Sequence, residues 1–340
     1  MAIPTQMYGI DARQPGGPEV LQYRTFDTPQ AAPGEVLIRV AAAGINAPDL
    51  MQRRGRYDPP PGHSAILGLE VGGEIAALGE GSAGFAVGDR VVALCNGGGY
   101  AEYVAVPEGQ VLPLPANWDV IDAAALPETY FTIQQTLVLK AGLGAGMTVL
   151  IHGAAGGLGG AAITIAKHYD ARPIAVVSSP EKAAYAMSLG AWASIDRSRD
   201  DFVVKAQELT GGNGCDRIID IVGGQNIAHN LSAAAIGGHI LQLATLDGPR
   251  AEINAGQIVA KHLTISGSTL RPRPPGLKAA IASSLRQDIW PALGDGRIAH
   301  PRIRRFAFED VSAAHQAMED RGNYGKIVLV TRFGQSLPPG

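Results

Sequence analysis

Five glycines lie within the eight residues from Gly153 to Gly160, directly after the apolar run 148–152. The segment that follows is rich in alanine and has helical periodicity. A glycine at position 156 lets the backbone approach a phosphate closely, and one at position 159 lets a helix pack tightly on a strand. The first N–H groups of such a helix attract an anion. We therefore predict that this turn binds the pyrophosphate of a dinucleotide through Ala155, Gly156, Gly157 and Leu158.

The second strand of this series ends in hydroxyl and basic residues, at the place where an Asp or Glu would accept from the ribose hydroxyls of NAD. Ser178, Ser179 and Lys182 lie at that strand end, and Arg197 follows the third strand. An acid would repel a 2′-phosphate, whereas these side chains donate hydrogen bonds to it. We predict NADPH as the cofactor. The alternative is that Lys182 is a solvated helix residue and that Glu181 takes the place of the acid.

The cysteines and histidines of this chain do not have the spacing of metal ligands. Cys95 and Cys215 are far apart, and neither has a close cysteine or histidine partner. We expect two reduced, packed thiols and neither a disulfide nor a zinc site. The histidines are also dispersed, and we expect surface or capping roles for all of them: His63, His152, His168, His229, His239, His262, His300 and His315.

The segments that must position the turn alternate between strands and helices. Strands are predicted at 148–152, 173–177, 193–196, 217–222, 239–244 and 263–267. Helices of about ten residues are predicted between them, at 158–169, 180–189, 202–209, 227–235 and 255–261. This alternation is typical of an α/β fold with a doubly wound parallel Rossmann sheet. Ligands of such sheets bind at the carboxyl ends of the strands, so we expect cofactor contacts from Val222, Leu243, Thr245, Leu246, Ser268 and Leu270.

The first part of the chain has a different pattern. Up to about residue 115, Pro and Gly separate short β-rich runs, which predicts a mostly antiparallel, barrel-like domain. Helices are predicted from Asp119 to about 126 and over 128–139, and a long one over 277–293 after a proline-rich loop at 271–276. The last forty residues read as strand, helix, strand. We expect a barrel domain of residues 1–125 and 300–340 and a dinucleotide-binding domain of residues 126–299.

Composition excludes several classes of protein. Of 340 residues, 46% are hydrophobic and the net charge is −3 with both signs interspersed, which argues against a disordered chain and against a nucleic-acid partner. No uninterrupted apolar stretch reaches 18 residues, and the first residues lack the pattern of a signal peptide. We therefore expect a cytoplasmic protein without a membrane partner.

Motifs along nearly the whole chain resemble the zinc-free quinone oxidoreductases of the zeta-crystallin type, in the medium-chain dehydrogenase/reductase superfamily. The segment 52–62 especially resembles the p53-inducible quinone oxidoreductase branch. The resemblance implies a GroES-like domain for the β-rich part. The motifs are Gly44-Ile45-Asn46-Ala47-Pro48-Asp49-Leu50, Leu67-Gly68-Leu69-Glu70-Val71-Gly72-Gly73, Val87-Gly88-Asp89-Arg90-Val91, Gly98-Gly99-Tyr100-Ala101-Glu102-Tyr103 and Gly325-Lys326-Ile327-Val328-Leu329.

The same resemblance implies chemistry without a metal. Zinc-dependent members have a cysteine near the position of Asn46 and a histidine at the position of Leu69, and both are missing here. Hydride transfer to an electron-poor acceptor is then the feasible reaction. The resemblance also implies roles for single residues. Asn46 lies beside the nicotinamide ribose or the reacting carbonyl, Tyr57 protonates or only packs on the acceptor, and Thr132, Asn323 and Lys326 lie near the cofactor.

The leading prediction is an NADPH-dependent, zinc-independent quinone reductase that binds a planar, hydrophobic quinone between the two domains. One alternative is an enal, enone or enoyl-thioester reductase on the same frame. A second alternative is an NADPH-binding, crystallin-like protein with little turnover. Members of the family commonly pair their sixth strands across a two-fold axis, and residues 263–270 are apolar enough to do so. We therefore expect a homodimer.

Overall fold

The computed structural model describes residues 2–320 and 322–338. Within these residues the chain forms two compact units. The β-rich unit contains the chain up to Phe131, residues 271–295 and the chain from Arg302 onwards. The parallel-sheet unit contains residues 132–270 and 296–301.

The strands of the described chain follow its apolar, β-branched runs. They are β1 (Gln6–Ala12), β2 (Leu21–Asp27), β3 (Glu35–Gly44), β4 (Glu70–Leu78), β5 (Arg90–Leu94), β6 (Tyr103–Pro107), β7 (Val111–Pro113), β8 (Thr148–His152), β9 (Arg172–Val177), β10 (Ala193–Asp196), β11 (Cys215–Asp220), β12 (Ala234–Gln242), β13 (Thr264–Gly267), β14 (Ile303–Ala307) and β15 (Lys326–Val330).

The helices begin mostly at capping residues or at proline. They are α1 (Ala47–Arg53), α2 (Val120–Ala123), α3 (Pro127–Ile133), α4 (Gly157–His168), α5 (Pro180–Ser188), α6 (Phe202–Leu209), α7 (Asn226–Ala233), α8 (Ala255–Lys261), α9 (Pro275–Asp288), α10 (Trp290–Gly294), α11 (Val311–Glu319) and α12 (Arg332–Ser336). Short 3₁₀ helices span Pro18–Val20, Glu108–Gln110 and Phe308–Asp310, and a π-helix spans Gln134–Lys140.

The parallel-sheet unit has the strand order β10-β9-β8-β11-β12-β13, and every neighbouring pair is parallel. This order reverses between β8 and β11, the switch point at which a doubly wound sheet binds its ligand. Its core contains fully buried side chains from β8, β9, β11 and β12, namely Leu150, Ile174, Ile218 and Ile240. The predicted Rossmann sheet is confirmed, strand by strand.

The β-rich unit contains a sheet with the order β14-β15-β3-β4-β5-β7, in which β6 also pairs with β3, and a hairpin of β1 and β2. All its pairs are antiparallel except β14 with β15. β15 comes from the end of the chain and pairs with β3, so Val328 lies opposite Gly44. The predicted return of the tail to the first domain is therefore observed, and it brings Lys326 beside the β3–α1 junction.

Two predicted helices differ from the observed ones. The segment 128–139 is an α-helix only to Ile133 and then widens into a π-helix, where the Thr136 hydroxyl donates to Thr132 O at 2.6 Å. The segment 277–293 divides into α9 and α10 because Pro291 has no N–H for the helical ladder. These two helices lie in the β-rich unit, where α9 packs on the 3₁₀ helix Glu108–Gln110, although the sequence assigned them to the dinucleotide-binding domain.

Candidate functional site

The turn after β8 combines an open position with a tightly packed one. A Cβ at Gly156, the N-cap of α4, would have only Gly153 O within 4 Å, at 3.4 Å. A Cβ at Gly159 would lie 2.5 Å from Ala154 Cα. The Gly156 N–H donates to Gly153 O at 3.0 Å within the turn. Gly157 and Leu158 begin the helix, so their N–H groups have no intrahelical acceptor. The turn thus offers an anion an accessible backbone and two helical N–H donors.

We expect Gly159→Ala to destabilise the protein by about 1–3 kcal/mol, because the added methyl group forces α4 away from the turn. The same shift should weaken the binding of NADPH and NADH alike. Denaturant unfolding and calorimetric titration measure the two effects. Gly160→Ala is the matched control, since its Cβ would contact only the ends of two side chains, Leu189 Cδ1 at 3.1 Å and the Tyr185 hydroxyl at 4.0 Å. Equal effects of the two substitutions would contradict this role for Gly159.

The side chains predicted to bind a 2′-phosphate follow β9. Lys182 Nζ donates to Ser178 Oγ at 3.4 Å, so these two side chains lie together. Ser179 caps α5 by accepting from the Lys182 N–H at 3.3 Å. The exposed Glu181 carboxylate accepts from its own backbone N–H and from the Ser179 hydroxyl, and these two bonds lower the pKa of Glu181. Arg197 is anchored through its N–H to Val177 O at 3.0 Å. Serine, lysine and a helix N-terminus therefore meet at this strand end.

A buried polar network holds the loop after β11. Asp220 Oδ1 accepts from the N–H groups of Val222, at 2.6 Å, and Gly223, at 3.2 Å. Its other oxygen accepts from Asn230 Nδ2 at 2.8 Å, and Asn230 Oδ1 lies 2.8 Å from His152 Nε2. These bonds give Asp220 a structural role in holding the loop. The expected surface or capping role is wrong for His152, which is buried at the end of β8 and has a pKa lowered by burial.

The loops after β11 and β12 contact each other at the carboxyl edge of the sheet. Leu243 N–H donates to Asp220 O at 2.8 Å, and Leu246 N–H donates to Ile221 O at 3.2 Å. Gly223 has φ +69°, and a Cβ there would lie 2.8 Å from Thr245 Cα. The structure thus brings together Val222, Leu243, Thr245 and Leu246, with Thr245 and Leu246 exposed.

The other residues predicted to lie near the cofactor make few hydrogen bonds to the rest of the predicted site. Thr132 lies in α3 and its carbonyl accepts from Thr136. Leu270 is buried and Ser268 is half-buried, both after β13. Asn323 N–H donates to Asp320 O at 3.0 Å, while its buried Oδ1 has no hydrogen-bond partner among the described residues.

In the β-rich unit, Asn46, Glu70 and Lys326 form a buried cluster. Lys326 Nζ lies 2.5 Å from Glu70 Oε1 and 2.7 Å from Asn46 Oδ1. Asn46 Nδ2 donates to the same Glu70 oxygen at 2.8 Å. Lys326 is 5% exposed and Glu70 is fully buried. Gly44 makes room for this cluster, because a Cβ there would lie 2.0 Å from Glu70 Oε1.

The Asp49 carboxylate holds the start of α1. It accepts from the Asn46 N–H at 2.8 Å and from the Gly68 N–H at 3.0 Å. Burial raises the pKa of Asp49 to about 6, against the opposing effect of these two backbone bonds. Tyr100 also hydrogen-bonds to Asp49, and its pKa is raised well above 10 by burial. Asn46 is therefore fixed through both its backbone and its amide group.

A chain of buried side chains continues from Tyr100. His315 Nε2 lies 3.1 Å from the Tyr100 hydroxyl, and His315 Nδ1 lies 3.2 Å from Arg53 Nη1. Arginine only donates, so Nδ1 accepts and Nε2 carries the proton of the neutral ring. Burial lowers the pKa of His315 to about 3. Arg53 also pairs with Glu319. His315 is thus a second exception to the expected surface or capping role.

Tyr57 lies against a buried arginine. The Arg271 guanidinium is 5.7 Å from the centre of the Tyr57 ring. It donates to Gln52 Oε1 at 2.7 Å and to Ser64 O at 3.1 Å. Tyr57 is half-buried, and burial raises the pKa of its phenol. The phenol is therefore protonated at neutral pH, as its predicted role as a donor requires.

The sequence analysis missed Arg271, Lys278 and Glu128 at this place. Lys278 is 1% exposed and donates to Asn96 Oδ1 at 2.6 Å and to Arg271 O at 2.8 Å. Burial lowers the pKa of Lys278 to about 8. Arg271 and Lys278 flank the proline-rich loop and the start of α9, and these two cations are the available signal in the sequence.

Among residues 2–320 and 322–338, no group of three or more His, Cys, Asp or Glu side chains is arranged to hold a metal ion. Cys95 and Cys215 are free and buried, and burial raises the pKa of both thiols, to about 12 for Cys215. In the part of the chain that the structure describes, no helix has both the length and the apolar character needed to cross a bilayer.

Residues 32–116 match the family described as alcohol dehydrogenase GroES-like domain, and residues 157–283 match the family described as zinc-binding dehydrogenase. The first match confirms the expected GroES-like domain.

Full-length relatives match in sequence and in structure. The quinone oxidoreductase of Pseudomonas aeruginosa is 35% identical over 93% of this chain and 97% of its own. A solved mycobacterial protein complexed with NADPH is 29% identical, with a TM-score of 0.82 over 95% of this chain and 99% of its own. The solved CurK enoyl reductase is 25% identical, with a TM-score of 0.84 over 96% of this chain and 100% of its own.

Proposed function

Since this chain belongs to the quinone oxidoreductase family of the medium-chain dehydrogenases/reductases, we propose that it reduces a quinone with NADPH and without a metal. The turn at Gly156 fits a dinucleotide, because its open Cβ position and the N–H groups of α4 suit a pyrophosphate. When bound, NADPH supplies a hydride ion. Residues of the parallel-sheet unit bind and orient the cofactor, and residues of the β-rich unit act on the acceptor.

The observation that carries this proposal is the fixed amide of Asn46. Its Oδ1 accepts from Lys326 and one Nδ2 hydrogen goes to Glu70, which sets the orientation of the amide. The second Nδ2 hydrogen then donates to the acceptor carbonyl or the nicotinamide ribose. A preorganised donor of this kind stabilises negative charge that develops on oxygen during hydride transfer. Tyr57 supplies a second, protonated donor.

The residues at two positions support the proposal that the reaction needs no metal. Where zinc-dependent relatives in the superfamily have a cysteine and a histidine, this chain has Asn46 and Leu69. Neither side chain is a usual zinc ligand. A quinone needs no Lewis acid because its carbonyl groups are already activated by conjugation, so hydrogen-bond donors and correct positioning suffice.

The preference for NADPH gives a direct test. We expect Ser178→Ala with Lys182→Ala to raise the KM for NADPH by about 10- to 100-fold, because two donors to the 2′-phosphate are lost. In the same assay, the KM for NADH should change less than about twofold, since NADH has no 2′-phosphate. Steady-state kinetics with both cofactors measure this difference. An equal loss for NADPH and NADH would refute the assignment.

Reduction of an enal, enone or enoyl thioester is the second candidate function. The structural similarity to an enoyl reductase favours it, and the chemistry needs the same donors. The experiment that separates the candidates compares NADPH oxidation with 9,10-phenanthrenequinone, a crotonyl thioester and a small enal. The highest kcat/KM with the quinone supports the proposal. A preference for the thioester would support the second function instead. Binding of NADPH without turnover would indicate a crystallin-like role.

A homodimer and a cytoplasmic location stay predictions. β13 lies at the edge of its sheet, and Thr264 and Ile265 are exposed there. An edge strand with free backbone groups can pair with a second copy of itself. Light scattering after size-exclusion chromatography would give twice the mass of one chain if β13 pairs in this way.

A further inference from the structure

Glu128 is tied to the Asn46 cluster through its backbone. It lies in the first turn of α3, and its N–H donates to Glu70 Oε2 at 2.8 Å. The other oxygen of Glu70 is the one that binds Asn46 and Lys326. Glu128 keeps some surface exposure, and its carboxyl group makes no hydrogen bond or ion pair within the described part of the chain. The backbone of Glu128 is therefore held beside the Asn46 cluster, and its carboxyl group is available for another partner.

Charged groups on several other elements interact electrostatically with the Glu128 carboxyl group. The carboxyl groups of Glu70, on β4, and Asp49, on α1, disfavour a further negative charge. The ammonium groups of Lys326, on β15, and Lys278, on α9, favour one. Tyr57, Arg271 and the Cys95 thiol also interact electrostatically with this carboxyl group. Burial has the largest effect, and together with Glu70 and Asp49 it raises the pKa of Glu128 to about 8. Glu128 is thus a neutral carboxylic acid at pH 7.

We propose that Glu128 is the acid that protonates the reduced acceptor, an inference that rests on the function proposed above. Hydride transfer delivers two electrons and one hydrogen nucleus to the quinone and leaves one negative charge on an acceptor oxygen. The O–H bond of Glu128 then breaks, and its proton forms an O–H bond on that oxygen. The resulting carboxylate is stabilised by the nearby Lys278 and Lys326, and it regains a proton from water.

Glu128 suits this step better than Tyr57 does. A general acid works best when its pKa is near the operating pH. Burial raises the pKa of the Tyr57 phenol above its ordinary value of 10, so the phenol is the weaker acid of the two. Tyr57 is also packed against Arg271. Tyr57 then orients the acceptor by a hydrogen bond, and Glu128 delivers the proton.

The test is the pH profile of Glu128→Gln, which keeps the shape of the side chain and removes its acid. Wild-type kcat with 9,10-phenanthrenequinone should fall as the pH rises through about 8, because the proton is lost. The variant should have a kcat about 100-fold lower at pH 7, no fall near pH 8, and an unchanged KM for NADPH. Glu74→Gln, a partly exposed carboxylate paired with Arg90 in the same unit, should retain the wild-type profile.

Stability gives a readout that does not depend on turnover. Glu128 has a higher pKa in the folded state, about 8, than in the unfolded state, about 4.3. The free energy of unfolding therefore falls as the pH rises between these two values. Glu128→Gln removes this loss, so its Tm should exceed that of the wild type at alkaline pH, while Glu74→Gln should follow the wild type.

The outcomes separate this inference from the proposed function. Wild-type protein that reduces no acceptor would overturn both. Normal wild-type turnover with an unchanged pH profile in Glu128→Gln would overturn only the role of Glu128. A Tm for Glu128→Gln no higher than that of the wild type at alkaline pH would also overturn it, since the carboxyl group would then be ionised in the ordinary way.

Discussion

Lys326→Met should lower the free energy of unfolding by about 3–5 kcal/mol. Lys326 provides the buried positive charge that lies against Glu70, and its loss leaves a fully buried carboxylate with neutral hydrogen-bond donors but no positive charge beside it. Asn46 Oδ1 loses its donor as well. Urea denaturation, monitored by circular dichroism, measures the change.

Two controls accompany this variant. The double substitution Lys326→Met with Glu70→Gln removes both charges and should recover a large part of the lost stability, because the penalty comes from the unpaired charge. Lys205→Met removes an exposed lysine from α6, where it pairs with Glu208, and should not measurably change the unfolding midpoint. If Lys326→Met were as mild as Lys205→Met, the buried cluster would not have the energetics argued for it.

Asn46→Ala should lower kcat by about 100- to 1,000-fold, the usual effect of removing one donor to a developing oxyanion. Asn46→Asp has nearly the same shape but places a negative charge beside Glu70, so it should be at least as inactive. NADPH affinity should fall less than kcat does, because the turn after β8 binds the pyrophosphate.

Steady-state kinetics and calorimetric binding of NADPH distinguish these effects. Asn117→Ala is the matched control, since Asn117 donates to Gly294 O at an exposed position outside the cluster. It should retain wild-type kcat. If Asn46→Ala kept kcat within about twofold of the wild type, Asn46 would serve only to cap α1.

The parallel-sheet unit was largely predictable because its signals are local. Apolar runs and helical periodicity alternate at regular intervals, and the turn from Gly153 to Gly160 lies where a strand passes into a helix. The strand order follows from the rules for such sheets. The π-helix from Gln134 was not predictable, since π-helices are rare and helix propensity does not distinguish them from α-helices.

The site of the β-rich unit was predictable only in part. Asn46 and Tyr57 are in motifs that carry the family resemblance, whereas Lys278 and Glu128 become relevant only once distant segments pack together. Lys326 is 256 positions from Glu70, and no local pattern indicates that they form an ion pair. The burial of His152 and His315 has the same cause, because their partners come from remote helices and strands.

The glycines show the difference between local sequence patterns and contacts made by distant segments. Gly156 and Gly159 are recognisable from their spacing, because the fingerprint assigns each a purpose. Gly44 has no such fingerprint. Its need for a hydrogen in place of a side chain arises from the Glu70 carboxylate, which lies where a Cβ would be.

Hydride transfer from NADPH to a quinone without a metal can be tested on the purified protein. The most direct measurement is the rate of NADPH oxidation with 9,10-phenanthrenequinone before and after exhaustive treatment with a zinc chelator, with the zinc content determined on the same samples. We expect an unchanged rate in protein that contains no stoichiometric zinc. A rate that disappears with chelation and returns when zinc is added would contradict the account.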